Sequence, residues 1–570
     1  MPANPNKLSQ FWQELKRRKV IRVVIVYAAA GFAVIEFVDI VTEPLNLPEW
    51  ALTLVIILVA IGFPLAIVLA WAYDITPSGI EKTKSLDAFK EQDKNRIHAD
   101  ITTRLENSIA VLPFQDMSPQ KDQEYFCYGI SEEIINALAH VENLKVIART
   151  SSFAFEDSKE DIRDIGNRLG VKSILEGSIR KSENKLRITT QLINISDGSH
   201  IWSEQFDRDL KDVFNIQEEI SLKIAKKLKG DISKEKVKHR IVKRYTSDLE
   251  AHNLYLEGRY FWNKRDDDGI RRSIECFEQA IIKDPGYVLP FAGLADAYVF
   301  YAIGYGALPP KEALPKAREA ALKSIEMDNE LAEAHTSLGY VMCFFDYNSA
   351  MAEQEFLKAI ELNPNYLLAH QWYAGIFLIT NRFEKALYEQ QKALELDPIS
   401  IQLHTEIGWS YHYMGKIDKA IEQYRKVIQL DPNFALVHFN LGSALSRKGL
   451  HSEAIEESQK GVTLSGGSPV MRWGLVHAHA LAGNREPAEK LLIETIELTK
   501  SGILVSNFVA MIYITLGEKQ PALFWYEKAY NDREPALSCL RIWLDNWIVT
   551  DLLNSEPGYH KLLKKIKQDW

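Results

Sequence analysis

The stretches FEKALYEQQKALELDP (residues 383–398) and IDKAIEQYRKVIQLDP (residues 417–432) decide the fold of this 570-residue chain. They repeat one pattern 34 residues apart, and the same spacing extends along the chain in both directions. An alanine recurs at every 34th position over six copies: Ala352, Ala386, Ala420, Ala454, Ala488 and Ala522. Prolines keep the same phase at Pro364, Pro398 and Pro432. A fixed period of this length predicts stacked copies of one supersecondary unit.

The period, the small residues and the prolines together resemble tetratricopeptide repeats, in which each copy is a pair of antiparallel helices. Close crossing of the two helices requires residues without bulk, such as Gly408 or Gly442 opposite the alanines. A proline after the second helix ends it, because proline lacks an N–H and disfavours helix in the residue before it. We expect seven or eight repeats over residues 249–534, with residues 535–570 forming one or two capping helices.

Composition limits the classes of function. The net charge of −9 is mild, and the soluble part shows no basic face of the kind that nucleic acid requires. Four scattered cysteines, without a C-x-x-C pair, predict neither a disulfide framework nor a zinc site. No motif for a cofactor is present, so we expect no cofactor and no metal.

The N-terminal region predicts a membrane hairpin. A basic segment, residues 1–22, precedes two apolar runs at about residues 23–41 and 50–73, and the second run carries no charge. The positive-inside rule places the basic N-terminus in the cytoplasm, and two spans return the soluble part there. Glu36 and Asp39, near the end of the first run, lie at the headgroup boundary or have a function; the sequence leaves both readings open.

Residues 108–230 predict a small α/β domain between two linkers, residues 74–107 and 231–248. SIAVLPF (residues 108–114) is a buried-strand pattern, and EYFCYGISEEIINALAHV (residues 124–141) is an amphipathic helix pattern. The full order, β-α-β-α-β-β-β-α, indicates a mixed sheet covered by helices.

Several stretches of this domain, IAVLPF, VIART, SILEGSIRK and WSEQFDRDLKDVFNIQEEI, resemble the TolB N-terminal and FlgO domains. With the hairpin and the repeats, the chain resembles bacterial TolB-like membrane proteins that carry tetratricopeptide repeats. The resemblance covers nearly the whole chain and implies function through protein contacts, without catalytic residues. TolB and FlgO act outside the cytoplasm, whereas the charges here favour soluble domains inside it, at the bacterial inner membrane.

An enzyme is not expected. Related proteins often carry a class III cyclase or winged-helix domain first, but only about twenty residues precede the first apolar run here. FQDM (residues 114–117) faintly resembles a cyclase metal motif, yet no second carboxylate follows in a matching strand. We interpret Asp116 as an ordinary loop aspartate.

The concave groove of the solenoid is the predicted binding site, for an extended peptide or a helix of a protein partner. Counting back from the alanines places seven residues on its inner side: Gln371, Thr405, Trp409, His412, Phe439, Trp473 and His477. The alternative is that these side chains pack the repeats together. Four histidines also repeat, at residues 335, 370, 404 and 438, and we interpret them as packing residues, since equivalent positions about 10 Å apart are too far for shared metal coordination.

The sequence thus predicts a multidomain chain with a two-helix membrane hairpin, a small mixed-sheet α/β domain and an all-α repeat solenoid. The predicted function is a membrane-anchored interaction scaffold or signalling adaptor, with a protein partner and the lipid bilayer as contacts. Two alternatives remain: a sensor or regulator that relays a signal through the repeats, and an accessory subunit of a nucleotide cyclase system.

Overall fold

The structure is a computed structural model. It describes residues 27, 30–32, 34–38, 48, 50–76, 79–82, 107–141, 143–156, 158–182, 185–229, 243–305, 308–500, 506–547 and 551–566. The chain divides into two compact units, Met1–Thr103 and Arg104–Trp570.

The first unit contains an apolar helix, α1 (Trp50–Ala72), with Pro64 inside it. Helical residues between 27 and 38 pack against α1, where the Tyr27 hydroxyl donates to the carbonyl of Val59 at 3.1 Å. Strands β1 (Tyr73–Thr76) and β2 (Gly79–Lys82) form an antiparallel hairpin at the start of the predicted linker 74–107.

The side chains of α1 are described at Trp50 and over residues 52–64. Among the residues that the structure describes, no helix is long and apolar enough to cross a membrane. Most of the predicted first span, residues 23–41, lies outside the described residues, and so does Asp39. The membrane-spanning hairpin therefore stays a prediction.

The second unit begins with a small α/β domain. Its strands are β3 (Ser108–Val111), β4 (Gln115–Asp116), β5 (Lys145–Val146), β6 (Ser173–Ser182), β7 (Lys185–Asn194) and β8 (His200–Asp209). Its helices are α2 (Glu124–Ala139), α3 (Arg149–Phe153), α4 (Ile162–Leu169) and α5 (Val213–Lys229). The sheet order is β5-β3-β6-β7-β8, with β4 also on β6; the pairs before β7 are parallel and the last two are antiparallel. The predicted mixed sheet is confirmed.

Successive residues of β3 point to opposite faces of this sheet, as the pleat requires. Ile109 and Val111 join the core under α2 and α5, while Ala110 and Leu112 join the core on the α4 side. The domain is therefore layered, with helices on both faces of the sheet.

Helical pairs fill the rest of the described chain. They are α6 (Leu249–Trp262) and α7 (Asp267–Lys283), α8 (Leu289–Phe300) and α9 (Pro310–Met327), α10 (Ala332–Phe344) and α11 (Ser349–Leu362), α12 (Leu367–Ile379) and α13 (Phe383–Leu396), α14 (Ile401–Tyr413) and α15 (Ile417–Leu430), α16 (Ala435–Arg447) and α17 (His451–Leu464), α18 (Pro469–Leu481) and α19 (Arg485–Lys500), α20 (Ser506–Thr515) and α21 (Lys519–Asn531). A short 3-10 turn (Pro535–Cys539), α22 (Leu540–Trp547), α23 (Asp551–Asn554) and α24 (Pro557–Lys565) follow.

The six repeated alanines lie where the two helices of a pair cross. All six alanines have no exposed surface. A Cβ at Gly408 would overlap the Tyr424 ring of the second helix, and a Cβ at Gly442 would overlap the Ser458 hydroxyl. The helices therefore approach each other closely at the small residues, and the resulting architecture is a mostly helical TPR-like solenoid joined to a small mixed sheet.

The α/β domain and the first repeats share one hydrophobic core. Ile130 and Ile134 of α2 belong to the same buried cluster as Leu256 of α6 and Val341 of α10. A Cβ at Gly129 would overlap the Leu256 side chain, so α2 and α6 also cross at a residue without bulk.

Candidate partner-binding groove and domain interface

Most of the seven predicted groove residues are buried rather than open to a partner. Thr405, His412, Phe439, Trp473 and His477 are each at most 4% exposed, while Gln371 and Trp409 are half-buried. The Thr405 hydroxyl donates to the backbone carbonyl of Ile401 at 2.8 Å. The structure thus gives packing contacts to the residues that the sequence placed in an open groove.

The chain's own C-terminal segment, which we define as Pro535–Trp547, packs over the aromatic residues of the predicted groove. Trp543 lies against Trp473 and Phe508, with ring centroids 5.8 and 6.1 Å apart. Trp473 also contacts Phe439 at 5.6 Å, so four aromatic rings form one continuous patch.

The same segment reaches the middle repeats. Ile542 is buried with Tyr373 and Phe377 of α12, and Cys539 packs in the same cluster as Cys343 of α10. The first part of residues 535–570 therefore lies along the repeats instead of only capping the last one, whereas Tyr559 and Leu562 of α24 do pack against Tyr526 of α21 in the terminal core.

Glu534 fixes the start of the C-terminal segment. Its buried carboxylate accepts the backbone N–H groups of Ser506 and Asn507, both at 2.9 Å, at the first turn of α20. Unpaired N–H groups at a helix start need such an acceptor. Burial raises the pKa of Glu534, and these hydrogen bonds partly oppose that rise.

Gln371 contacts another repeat rather than open space. Its Nε2 donates to Oε1 of Glu406 at 2.8 Å, and Gln402 donates to the same oxygen at 2.9 Å. Burial raises the pKa of Glu406 to about 7, although both hydrogen bonds lower it. The Glu406 carboxyl group thus joins α12 to α14, and it binds a proton more readily than an ordinary glutamate does.

The four repeated histidines pack each first helix onto its second helix. In three of them Nδ1 lies beside a glutamate of the second helix: Glu355 for His335 (2.6 Å), Glu389 for His370 (2.7 Å) and Glu457 for His438 (2.7 Å). His404 instead pairs with Gln423 at 3.1 Å. The Nε2 atoms of His370, His404 and His438 lie 2.9–3.3 Å from the carbonyl of the preceding proline.

The pKa values of His438 and His404 shift in opposite directions. The hydrogen bond to Glu457 raises the pKa of His438, whereas burial lowers the pKa of His404, whose partner is neutral. Each histidine therefore ties a loop carbonyl to the neighbouring helix, which fits the packing interpretation.

A buried charge network joins the α/β domain to the solenoid. Arg259 of α6 donates to Glu132 of α2 at 2.7 and 3.0 Å, and its Nη1 lies 3.4 Å from Asp296 of α8. Arg149 of α3 lies 3.3 Å from the other oxygen of Glu132. Burial would raise the pKa of Glu132, but the two guanidinium groups hold it below its ordinary value.

A second set of contacts lies further along the repeats. The Ser151 hydroxyl donates to the Asp397 carboxylate, and the backbone N–H of Ala148 donates to the carbonyl of Leu396 at 2.8 Å. Asn365 Nδ2 donates to the carbonyls of Ala139 and Leu144 at 2.8 and 3.2 Å. Both Asn365 and Asp397 precede the first helix of a repeat, so the α/β domain is docked on these inter-repeat loops.

The described residues contain no group of three or more His, Cys, Asp or Glu side chains that could hold a metal ion. The four cysteines, Cys127, Cys276, Cys343 and Cys539, are free, and burial raises the pKa of every thiol. Asp116 accepts the backbone N–H groups of Ser118 and Gln123, both at 2.8 Å, as a loop-capping aspartate does.

Sequence reasoning did not find Glu132, Arg259, Asp296 or Trp543. The three charged residues come from separate helices, and no spacing in the sequence relates them. The sequence did contain a signal for Trp543. Leu540, Trp543 and Leu544 follow the i, i+3, i+4 pattern of an amphipathic helix, in a segment that was interpreted as a cap.

Two family models match parts of the chain. Residues 408–449 match the TPR repeat, within the solenoid. Residues 105–223 match the second domain of HilA/YgeH-like transcriptional regulators, over the α/β domain. The likeness of that domain to TolB therefore stays a prediction.

A protein of Rhizobium meliloti (strain 1021), provisionally named adenylate cyclase 3, is 34% identical to this chain over 237 residues. The match covers 41% of this chain and 40% of the relative, so this chain spans well under half of that protein's length.

Similar solved structures are TPR proteins. One is from the functional characterization of Pseudomonas aeruginosa pilF: it is 20% identical, with a TM-score of 0.30, over 36% of this chain and 93% of that chain. A tetratricopeptide repeat protein from Parabacteroides merdae ATCC 43184 is 12% identical, with a TM-score of 0.36, over 46% and 99%. YrrB, described as a TPR protein with an unusual peptide-binding site, is 20% identical, with a TM-score of 0.24, over 32% and 92%. The chain carries TPR repeats, and repeats of this kind suggest a protein-interaction scaffold.

Proposed function

We propose that this chain is a membrane-tethered interaction scaffold or signalling adaptor, whose repeat groove binds a helical segment of a protein partner. The observation that carries the proposal is the C-terminal segment itself. Its Leu540, Trp543 and Leu544 anchors follow the i, i+3, i+4 spacing by which amphipathic helices bind apolar grooves. A groove that packs one such helix in cis has the shape and chemistry to bind a similar helix in trans.

In this proposal the partner's anchor replaces Trp543 on the aromatic patch of Phe439, Trp473 and Phe508. Aromatic anchors in well-packed pockets supply much of the binding energy at protein interfaces. Of the other predicted groove residues, Trp409 packs in one cluster with Ile542 and Trp543. The proposal makes no use of Gln371, Thr405, His412 and His477.

The experiment uses a fluorescent peptide with the sequence of residues 533–547. The full chain with Ile542→Ala and Trp543→Ala releases its own segment, and we expect it to bind the peptide at least tenfold more tightly than the unmodified chain does. A control peptide with the same two alanines should not bind. If the variant keeps its circular dichroism spectrum but fails to bind the peptide, the groove does not recognise helices.

The membrane part of the proposal rests on apolar surface in the first unit. Phe32, Phe37 and Ile61 are 66%, 65% and 63% exposed, and they belong to the two helical segments that pack together around Tyr27. Exposed apolar surface of this kind marks an interaction site, and lipid is its simplest cover. With basic residues before the first run, the soluble domains would be cytoplasmic, at a bacterial inner membrane.

Reporter fusions at residue 80 and at Trp570 test this topology. Both fusions should give a cytoplasmic signal from a membrane fraction. A periplasmic signal from either fusion, or recovery of the chain without membranes, would contradict the tether.

A second candidate is a regulator or accessory subunit of a nucleotide cyclase system. It is favoured by the partial likeness to the Rhizobium meliloti protein and by the core that the α/β domain shares with the first repeats. In both candidates the chain has no chemistry of its own. Cyclic nucleotide formation by the purified chain with ATP and a divalent cation would overturn that part of the proposal.

A further inference from the structure

The turn between α10 and α11 carries a large side chain at a position that later repeats give mostly to glycine. Tyr347 has a positive φ of 53°. At the equivalent turns, each 34 residues further on, the residues with positive φ are Asn381, Gly415, Gly449, Gly483 and Gly517. Glycine adopts this backbone conformation without steric cost, whereas a bulky residue does not. The turn itself therefore does not account for a tyrosine at this position.

The Tyr347 side chain makes its contacts at the other end of the solenoid. The residue is 5% exposed and belongs to the terminal core with Tyr526 of α21 and Leu537 of the C-terminal segment. Its ring stacks on the Tyr530 ring of α21, with centroids 6.1 Å apart and 23° between the ring planes. Burial of an aromatic ring against the last repeat thus offsets the backbone strain at Tyr347.

Arg533, just after α21, completes this contact. Its guanidinium carbon lies 5.1, 5.6 and 5.7 Å from the ring centres of Tyr530, Phe345 and Tyr347. Its Nη1 donates to the backbone carbonyl of Phe345 at 3.4 Å. Aromatic faces attract a guanidinium group, so this cation joins the α10–α11 turn to the end of α21. We call the contact of Phe345 and Tyr347 with Tyr530 and Arg533 the closing contact.

The closing contact joins the two ends of the series of helices that holds the C-terminal segment. Cys539 of that segment packs in the cluster of Cys343 of α10, at one end of the series, and Trp543 lies against Phe508 of α20, at the other. Arg533 also lies only two residues before the start of the segment. A helix in the position of the segment therefore contacts both ends of a series of repeats that this contact closes.

We propose that the closing contact is a gate for the partner helix: it opens to admit the helix and closes again once the helix is bound. The inference rests on the proposed function of the groove. The chain's own segment occupies the groove while the closing contact is formed, so a helix bound in trans is compatible with the closed state too. Binding that requires a conformational change is slow. The gate therefore sets the rates of association and dissociation and leaves the equilibrium affinity nearly unchanged.

Tyr347→Gly tests the gate without disturbing the turn, since glycine occupies four of the equivalent turns. Asn381→Gly is the matched control, because Asn381 has the same turn position one repeat later and is exposed. Arg533→Gly removes the other side of the contact, and glycine keeps its positive φ of 56°.

Each change is made in the full chain with Ile542→Ala and Trp543→Ala, and stopped-flow fluorescence follows binding of a labelled peptide of residues 535–547. We expect Tyr347→Gly and Arg533→Gly each to raise both the association and the dissociation rate constant at least fivefold. The dissociation constant should change less than twofold, and Asn381→Gly should change neither rate constant.

Three results would overturn the gate. Equal rate constants in the Tyr347→Gly and Asn381→Gly chains would show that the closing contact does not limit entry, while binding in the groove would stand. Faster dissociation with unchanged association would mean that Tyr347 only supports the bound helix. Absence of peptide binding by every variant would overturn the groove, and the gate with it.

Discussion

At the residue scale, Glu406 shows how packing changes a side chain's chemistry. Its carboxyl group is buried between repeats and receives hydrogen bonds from Gln371 and Gln402. These two neutral donors stabilise the carboxylate less than burial destabilises it, so the pKa rises to about 7. The charged form of Glu406 therefore destabilises the folded state at neutral pH.

Replacement of Glu406 by Gln should make stability less dependent on pH. A carboxyl group with a raised folded-state pKa stabilises the fold fully below its unfolded pKa, and this contribution is lost as pH rises from about 4.5 to about 7. We expect Glu406→Gln to gain up to about 3 kcal/mol over the unmodified chain at pH 8, and little at pH 4.

Urea unfolding at the two pH values measures this effect. Glu384→Gln, on the exposed surface, is the control and should not change the difference between pH 4 and pH 8. An equal effect of Glu406→Gln at both pH values would show that Glu406 keeps an ordinary pKa in the folded chain.

At the element scale, a single added Cβ atom can prevent the two helices of a repeat from crossing closely. Gly408 lies against the Tyr424 ring, where a Cβ would overlap the ring carbons. A Cβ added at Gly375, in the neighbouring α12, would lie 3.7 Å from the nearest atom, Phe344 Cζ, which is an ordinary contact distance. The same residue type thus has a steric role at one position and none at the other.

Alanine substitution at these two glycines should have opposite effects. Gly408→Ala forces α14 and α15 apart and should destabilise by about 1–3 kcal/mol, as overpacking does. At Gly375 an added methyl group makes no clash, so Gly375→Ala should stabilise the folded chain by up to about 1 kcal/mol, because alanine favours helix. The thermal unfolding midpoints of the two variants check this, and equal shifts of the same sign would mean that the helices do not cross at Gly408.

The C-terminal segment is the element whose role changed most between sequence and structure. Its amphipathic pattern predicts a helix, and helix α22 forms. The pattern does not identify the surface that the apolar face covers, since the end of the solenoid and its groove are both apolar. Only the contacts of Trp543 with Trp473 and Phe508 decide this.

At the scale of the whole molecule, the α/β domain and the first repeats form one packed body. Glu132 lies at its centre, between Arg259 of the solenoid and Arg149 of its own domain. Removing one partner of a buried ion pair leaves the other charge without compensation, which typically costs several kcal/mol. The docking of the two domains therefore depends strongly on this carboxylate.

Glu132→Gln should weaken the docking by about 3 kcal/mol, since both guanidinium groups stay buried. Amide hydrogen exchange should rise in α2 and α6 together. Glu384→Gln, an exposed substitution in α13 and outside both helices, is the control and should leave exchange in α2 and α6 unchanged. If exchange in α6 did not respond to Glu132→Gln, the two domains would not be coupled through this network.

The sequence by itself determined the solenoid, its phase and the mixed sheet. These features follow from local rules, because a small residue must recur wherever two helices cross and strands alternate their apolar side chains. It also predicted that Gln371, Trp473 and the other groove residues lie on the inner side of the first helices.

Only the tertiary structure decided which of those residues stay open. Burial of Trp473 depends on Trp543, which is 70 residues away, and the network of Glu132 depends on Arg259, which is 127 residues away. A repeat pattern specifies contacts between neighbours, where the spacing is constant. Contacts between a terminal segment or a separate domain and the solenoid have no period, so their partners are fixed by shape and charge in three dimensions.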